Sequence, residues 1–149
     1  MDFAHDKHRE AYEKTKQYLQ TIFGGVLHTF DEVPGFAVPY GSAIAFIRVL
    51  SWRDEAVICT RSYVVTNIER TPELMEFLLR TNANFVFGAF GFDEDGDITF
   101  EHTILATHMD MDELRDSVHA VLVTADEFDD RITQRFGGMR ALDRSRVSP

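Results

Sequence analysis

A chain of 149 residues with 44% hydrophobic and 27% charged side chains is sized and mixed for one globular domain with a core of its own. Its formal charge of −10 repels nucleic acid and anionic membrane, and no stretch approaches the roughly 20 apolar residues of a membrane span. One cysteine, Cys59, excludes an internal disulfide, and the start of the chain has no apolar leader run, so a reducing, cytoplasmic setting is expected.

Residues 6–23 read as a helix, because Ala11, Tyr12, Thr15, Tyr18, Leu19, Ile22 and Phe23 recur at three- and four-residue spacing. Gly24-Gly25 stops it. Pro34-Gly35 marks a turn, and residues 36–40 form a short edge strand in which Pro39 lacks a ladder donor. Residues 43–52 alternate as a strand: Ala43, Ala45, Ile47 and Val49 face one way, Ile44, Phe46 and Leu50 the other. Arg53-Asp54-Glu55 turns the chain into a returning strand at 56–66, so the pair is an antiparallel hairpin. Thr71, Pro72 and Glu73 start a second helix over 71–81, with Leu74, Phe77 and Leu78 as its buried face and Met75 and Leu79 broadening it. Residues 84–92 read as a very apolar strand. Asp93 to Gly96 forms a hairpin turn with Gly96 at positive φ, and residues 97–105 return. Asp110 and Glu113 spell a capping box, flanked by Met109 and Leu114 at staple positions. A long helix follows, with a seam of Met111, Leu114, Val118, Val121, Ala125, Phe128 and Ile132, and Gly137-Gly138 ends it.

The order α-β-β-β-α-β-β-α predicts an α+β fold, an antiparallel sheet with helices packed mainly on one face. The domain is expected over 1–138. Residues 139–149, with Arg140, Arg144 and Arg146 interrupted by Asp143, read as a disordered tail rather than a nucleic-acid arm. In the 84–92 strand, Phe85, Phe87 and Ala89 alternate with Val86, Phe90 and Phe92, so both faces are apolar. The second face then needs a cover: another copy of the chain, the first helix, or a client segment. A homodimer is the first expectation; both faces covered within one chain is the alternative.

Catalytic and metal signatures fail one by one. Asp93, Asp95 and Asp97 begin like a calcium loop, but Ile98 and Ile104 stand where its glycine and glutamate belong, so the turn reads as a polar hairpin tip. His5, His8, His102 and His108 lack zinc-ligand spacing and read as surface or cap histidines. Ser42 lacks a nucleophile elbow, and Cys59 sits within a strand as an inert thiol. His119, Asp112, Arg115 and Asp116 lie on a solvated helix side with Asp126, Asp129 and Asp130, where Asp126 is set to pair with Arg131 or a partner chain. Trp52 fits a core or a contact residue equally. No cofactor, no metal and no catalytic residue is expected.

Several short motifs resemble the YbjN-like family and its wider relatives, the type III secretion chaperone-like domains. They are Pro72-Glu-Leu with Leu78-Leu79-x-x-Asn82, Phe87-Gly88-x-Phe90, the run from Phe92 to Asp97, Asp112-Glu-Leu114, Ala125-Asp126 and Phe136-Gly-Gly138, with Pro39 to Ser42 before them. The resemblance implies the type III secretion chaperone-like fold, a homodimer, no enzymatic activity, and clients bound as extended segments, partly by strand addition. It implies a dimer contact on the middle helix and adjoining strand, at Leu74, Phe77, Leu78, Phe85, Phe87 and Ala89. Peptide contacts are expected at Ile44, Phe46, Leu50, Trp52, Phe90 and Phe92. The function expected is a non-catalytic homodimeric module binding a peptide or partner protein, with no nucleic acid and no membrane. A small-ligand-binding sensory or regulatory domain is the alternative.

Overall fold

The computed structural model describes residues 1–147, with side chains through Arg144. Helix α1 spans Asp6–Phe23. Its N-cap is His5, whose Nδ1 accepts the His8 N–H at 3.2 Å. Gly24, at φ +56, closes the helix by donating its N–H to the Gln20 carbonyl. After a single 3₁₀ turn at Gly24–Val26 come β1 (His28–Thr29), β2 (Gly35–Tyr40), β3 (Ala43–Trp52) and β4 (Glu55–Thr66). Helix α2 is Pro72–Asn82, and strands β5 (Ala89–Phe92) and β6 (Ile98–Leu105) lead into α3, Met111–Phe136. Beyond it lie β7, Met139–Arg140, and α4, Ala141–Val147.

The sheet is antiparallel throughout, in the order β1-β2-β3-β4-β6-β5, with β7 added beside the end of β4. This is the α+β architecture expected, extended by short pieces at both ends. Residues paired across an antiparallel ladder share a face. Thus Phe36 and Val38 of β2, Ala45, Ile47 and Val49 of β3, Ile58 of β4 and Phe100 of β6 form one buried layer. Ala11, Tyr12 and Leu19 of α1 and Leu114, Val118, Val121, Leu122, Ala125, Phe128 and Ile132 of α3 cover it. Leu74 and Leu78 of α2 join the same core. Each large side chain removed from water stabilises the fold by roughly 1.5–3 kcal/mol, and this layer sets which face of the sheet is closed.

Two ends were well marked in sequence. The capping box forms as written: Asp110 accepts the Glu113 N–H at 2.8 Å, and Glu113 accepts the Asp110 N–H at 2.9 Å. Thr71 caps α2 by accepting the Leu74 N–H at 3.2 Å.

Two segments differ from expectation. The strand expected over 84–92 begins only at Ala89. Gly88 stands at φ +76, and a Cβ there would lie 2.6 Å from the Phe100 ring. The chain therefore bends at Gly88, and alternation does not hold before it. Phe85 turns inward, into a cluster with Phe90, Phe100 and Phe128 whose ring centroids lie between 5.1 and 5.6 Å apart. Val86 is left 88% exposed. Past the Gly137-Gly138 boundary, Arg140 and Met139 pair with Val65 and Thr66, so the described chain runs on as strand and helix where a tail was expected. Residues 148 and 149, and the Arg146 side chain, lie outside what is described.

Candidate functional site

The helices α1 and α3 close one side of the sheet; the other carries the candidate site. On β3 the alternate set Ile44, Phe46, Arg48, Leu50 and Trp52 faces outward. Ile44 is 38% and Trp52 49% exposed, while Phe46 and Leu50 are half-buried. Register extends this layer across the neighbouring strands. Val57 pairs with Leu50, Cys59 with Arg48 and Arg61 with Phe46. On β6, Leu105 lies beside Val57, Thr103 beside Cys59 and Glu101 beside Arg61. Tyr63 meets Phe46 edge to face at 6.1 Å. The result is a largely apolar outer face that carries exposed Arg48 and one ion pair, Arg61 Nε to Glu101 at 2.5 Å. Four of the residues expected to contact peptide, Ile44, Phe46, Leu50 and Trp52, are brought together on it. Trp52 resolves as a surface residue, with the Arg53 guanidinium 4.9 Å from its ring centroid. Phe90 and Phe92 point instead to the helix-covered side, because Phe90 pairs with the buried Phe100 and Phe92 with the buried Ile98.

The residues expected at a dimer contact divide in the same way. Leu74, Leu78 and Phe85 are spent inside the chain. Phe77 is half-buried against Phe136 at 5.4 Å. Phe87, 48% exposed, meets the His102 ring at 5.3 Å, and Ala89 is exposed. Met75 at 40% and Leu79 at 69% are the exposed apolar residues of α2.

Val57, Tyr63 and Leu105 were missed by sequence reading; each sits at an alternate strand position, but only the register places them beside Phe46 and Leu50. Cys59 is half-buried on this face, and desolvation, then the Glu101 charge, push its thiol above its ordinary range, which disfavours the thiolate.

At the Ile44 end, the outer face deepens into a cavity of about 460 Å³. Its floor is Ile44, Phe46 and Tyr63, one wall is the Asp93–Asp95–Asp97 turn, and another is α4. The three carboxylates lie within 4.8 Å of one another. Asp93 accepts the N–H groups of Asp95 and Asp97 at 3.0 and 2.9 Å, which is what holds the hairpin tip. Asp97 is buried; it accepts the Asn67 N–H at 3.3 Å and an Arg144 N–H at 2.8 Å.

The rim of this cavity is fixed from behind. Asp126 accepts the Ser42 N–H at 2.7 Å and its hydroxyl at 2.8 Å, not the expected Arg131, which pairs with Glu127. The Ser42 hydroxyl also touches the buried Asp129. It has one proton to give and shares it between the two carboxylates. Burial, the largest cause, pushes the Asp129 carboxyl above its ordinary range, against the hydrogen bonds from Ser42 and the Asp130 N–H, which lower it.

Among the described residues, the histidines do not gather into a set of three ligands. His5 caps α1 and reaches Ser51 Oγ at 3.0 Å, and His8 donates to the Val49 carbonyl at 2.8 Å. His102 bonds Ser117 Oγ at 2.8 Å, and burial lowers its pKa. With Phe87, His108, Met109 and Glu113 it lines a second cavity of about 420 Å³ between β6 and the start of α3.

A family model described as T3SS (YopN, CesT) and YbjN peptide-binding chaperone 1 matches residues 10–144. The chain belongs to this family of peptide-binding chaperones, and it is not an enzyme. Its fold is shared by solved structures of low sequence identity. A chain of the ExsC–ExsE complex matches at TM-score 0.64 and 17% identity, over 85% of this chain and 96% of that one. A chain of the HopA1–SchA chaperone–effector complex matches at TM-score 0.64 and 12% identity, over 85% and 98%. YbjN of E. coli matches at TM-score 0.58 and 12% identity, over 80% and 92%. No curated protein matches the sequence. Among the described residues, no helix is long and apolar enough to cross a membrane.

Proposed function

We propose that this chaperone-family chain works as a homodimer and holds an extended segment of a partner protein along the outer face of β3, β4 and β6. The observation that carries the reading is the face itself: Ile44, Phe46, Leu50, Trp52, Val57, Tyr63 and Leu105 present apolar surface that α1 and α3, on the opposite side, leave uncovered. Such a layer costs solubility unless something binds it. An extended segment matches the two-residue period of the strands beneath it. Beyond Glu101, β6 has no β5 partner, so His102 to Leu105 offers backbone groups for an added strand at the edge of the same face. The complexes with ExsE and HopA1 among the structural neighbours agree with a protein client. The dimer contact is assigned to Met75, Leu79, Val86, Phe87 and Ala89, the exposed apolar residues of α2 and the segment after it.

A photo-crosslinking amino acid at Phe46, carried by the full chain in its host cell, tests the client. Expected is a discrete adduct, mapped to an extended apolar segment, that the same probe at exposed Glu127 does not give. Equal adducts from both positions, or none, overturn the reading. Sedimentation equilibrium tests the dimer: a species of 17.1 kDa at all concentrations removes it.

A further inference from the structure

The outer face is not free along its whole length. At the Ile44 end, Leu142 and Arg144 of α4 line the cavity floored by Ile44, Phe46 and Tyr63 and walled by Asp93, Asp95 and Asp97. The Arg144 guanidinium reaches Asp97, whose side chain is 9% exposed, while the Arg144 side chain itself stays 56% exposed. We propose that α4 is a built-in occupant of one subsite of the client face, and that this subsite takes a basic residue next to an apolar one. The inference rests on the client reading above and adds which residues a client presents there.

Three observations carry it. The floor is apolar and the wall acidic, so the complementary group is an aliphatic or aromatic side chain beside a cation; Leu142 and Arg144 are that pair supplied by the chain itself. The segment is made of short elements. β7 pairs over two residues only, α4 is seven residues long, and a helix that short does not persist in water without its docking contacts. Arg140 spends much of its charge on Asp143 inside the same segment, at 2.7 Å, with Asp130 of α3 at 3.5 Å. Finally, the net charge of −10 draws basic rather than acidic segments to the surface. A client with an apolar–basic pair therefore displaces α4, and α4 masks the cavity when no client is present.

The test is exchange in trans. The probe is a fluorescein-labelled synthetic peptide of residues 139–149 of this chain, titrated against the full-length protein by anisotropy. Wild type should bind it weakly, its subsite being filled. Full-length Arg144→Glu, which repels its own α4 from Asp97, should bind the wild-type peptide at least about fivefold more tightly. A probe carrying the same Arg144→Glu change should lose that gain, and rising salt should weaken it. Equal affinity of wild type and variant for the wild-type peptide, with both folded by circular dichroism, overturns the proposal. Val123→Ala, at an exposed position of α3 away from the outer face, should leave peptide exchange unchanged. If exchange succeeds while the Phe46 crosslink finds no client, the subsite stands and the client reading falls; if a client is found without exchange, the reverse holds.

Discussion

Gly41→Ala is the sharpest test of how the client face is anchored. Gly41 stands at φ +55, and a Cβ there would lie 2.3 Å from an Asp126 carboxylate oxygen and 2.7 Å from its carbon. Alanine costs about 1–2 kcal/mol for the left-handed backbone alone. The carboxylate must also move away, and it then loses the Ser42 N–H and hydroxyl at 2.7 and 2.8 Å. Hydrogen bonds to a charged group contribute about 1.5–3 kcal/mol each. Partial exposure of Asp126 discounts both, so roughly 2–3 kcal/mol goes with the pair. The sum, about 3–5 kcal/mol, is a large part of a domain's stability and lowers Tm by on the order of 10 °C. Urea unfolding of Gly41→Ala, of Asp126→Ala and of the double variant separates the contributions. With Asp126 truncated, the collision is gone and Gly41→Ala should cost only its backbone strain. An equal cost of Gly41→Ala in both backgrounds refutes the clamp.

Phe46→Asp should abolish client crosslinking from a probe placed at Leu50 while lowering stability by no more than about 2 kcal/mol, since the side chain is half-buried; a crosslink retained in a folded variant contradicts the client face. With the dimer contact proposed above, Phe87→Asp would place a charge in the seam and should shift the elution from dimer to monomer on size-exclusion chromatography; an unchanged elution volume argues against that contact. Phe85→Ala should cost about 3–5 kcal/mol, as its ring sits among Phe90, Phe100 and Phe128, whereas Val86→Ala, at 88% exposure, should leave monomer stability unchanged; equal costs would mean the bend at Gly88 is wrongly placed. Asp129→Asn should stabilise the protein at pH 7. The folded carboxyl's pKa is raised above its unfolded value, so ionised Asp129 burdens the fold at neutral pH. That burden is relieved as pH falls through the folded pKa, so wild type should gain on the variant toward the ordinary carboxylate range. A pH-independent difference between their melting temperatures would remove the argument.

What the sequence disclosed follows the range of the interactions involved. The cap of α3 and its buried seam are written within one segment, and the structure repeats the cap and the seam from Leu114 to Ile132, leaving Met111 half-buried and adding Leu122. The outer set Ile44, Phe46 and Leu50 was legible because strand alternation is local as well, whereas Trp52, at the strand end, read equally as core or contact. Residues 84–92 were not, because an apolar run without its glycine geometry looks like a strand throughout. The bend comes from Gly88 meeting Phe100 and from Asn82, whose side chain accepts the Phe90 N–H at 2.7 Å and donates to its carbonyl at 3.1 Å. Asp126 and Ser42 are 84 positions apart, and nothing near either announces the other. The segment after Gly138 has the composition of a solvated tail; its pairing with Val65 and Thr66 depends on a strand more than 70 residues earlier.

The same contacts explain how a protein can keep an apolar sheet face without sticking to copies of itself edge to edge. Asn82 satisfies both backbone groups of Phe90 on the outer side of β5, so that edge has nothing to offer there. Pro39 withholds a donor where β2 runs on beyond β1. What stays open is the stretch from His102 to Leu105 and the layer around Phe46, and the two adjoin through the Val57–Leu105 pair. A segment lying there meets Arg61 and Glu101 midway, already neutralised by each other, and the Asp93–Asp97 turn at the Ile44 end. On the proposed reading, this face can tell clients apart at two places: exposed Arg48, on β3 between Phe46 and Leu50, and Asp97 at the Ile44 end, where Arg144 is already paired.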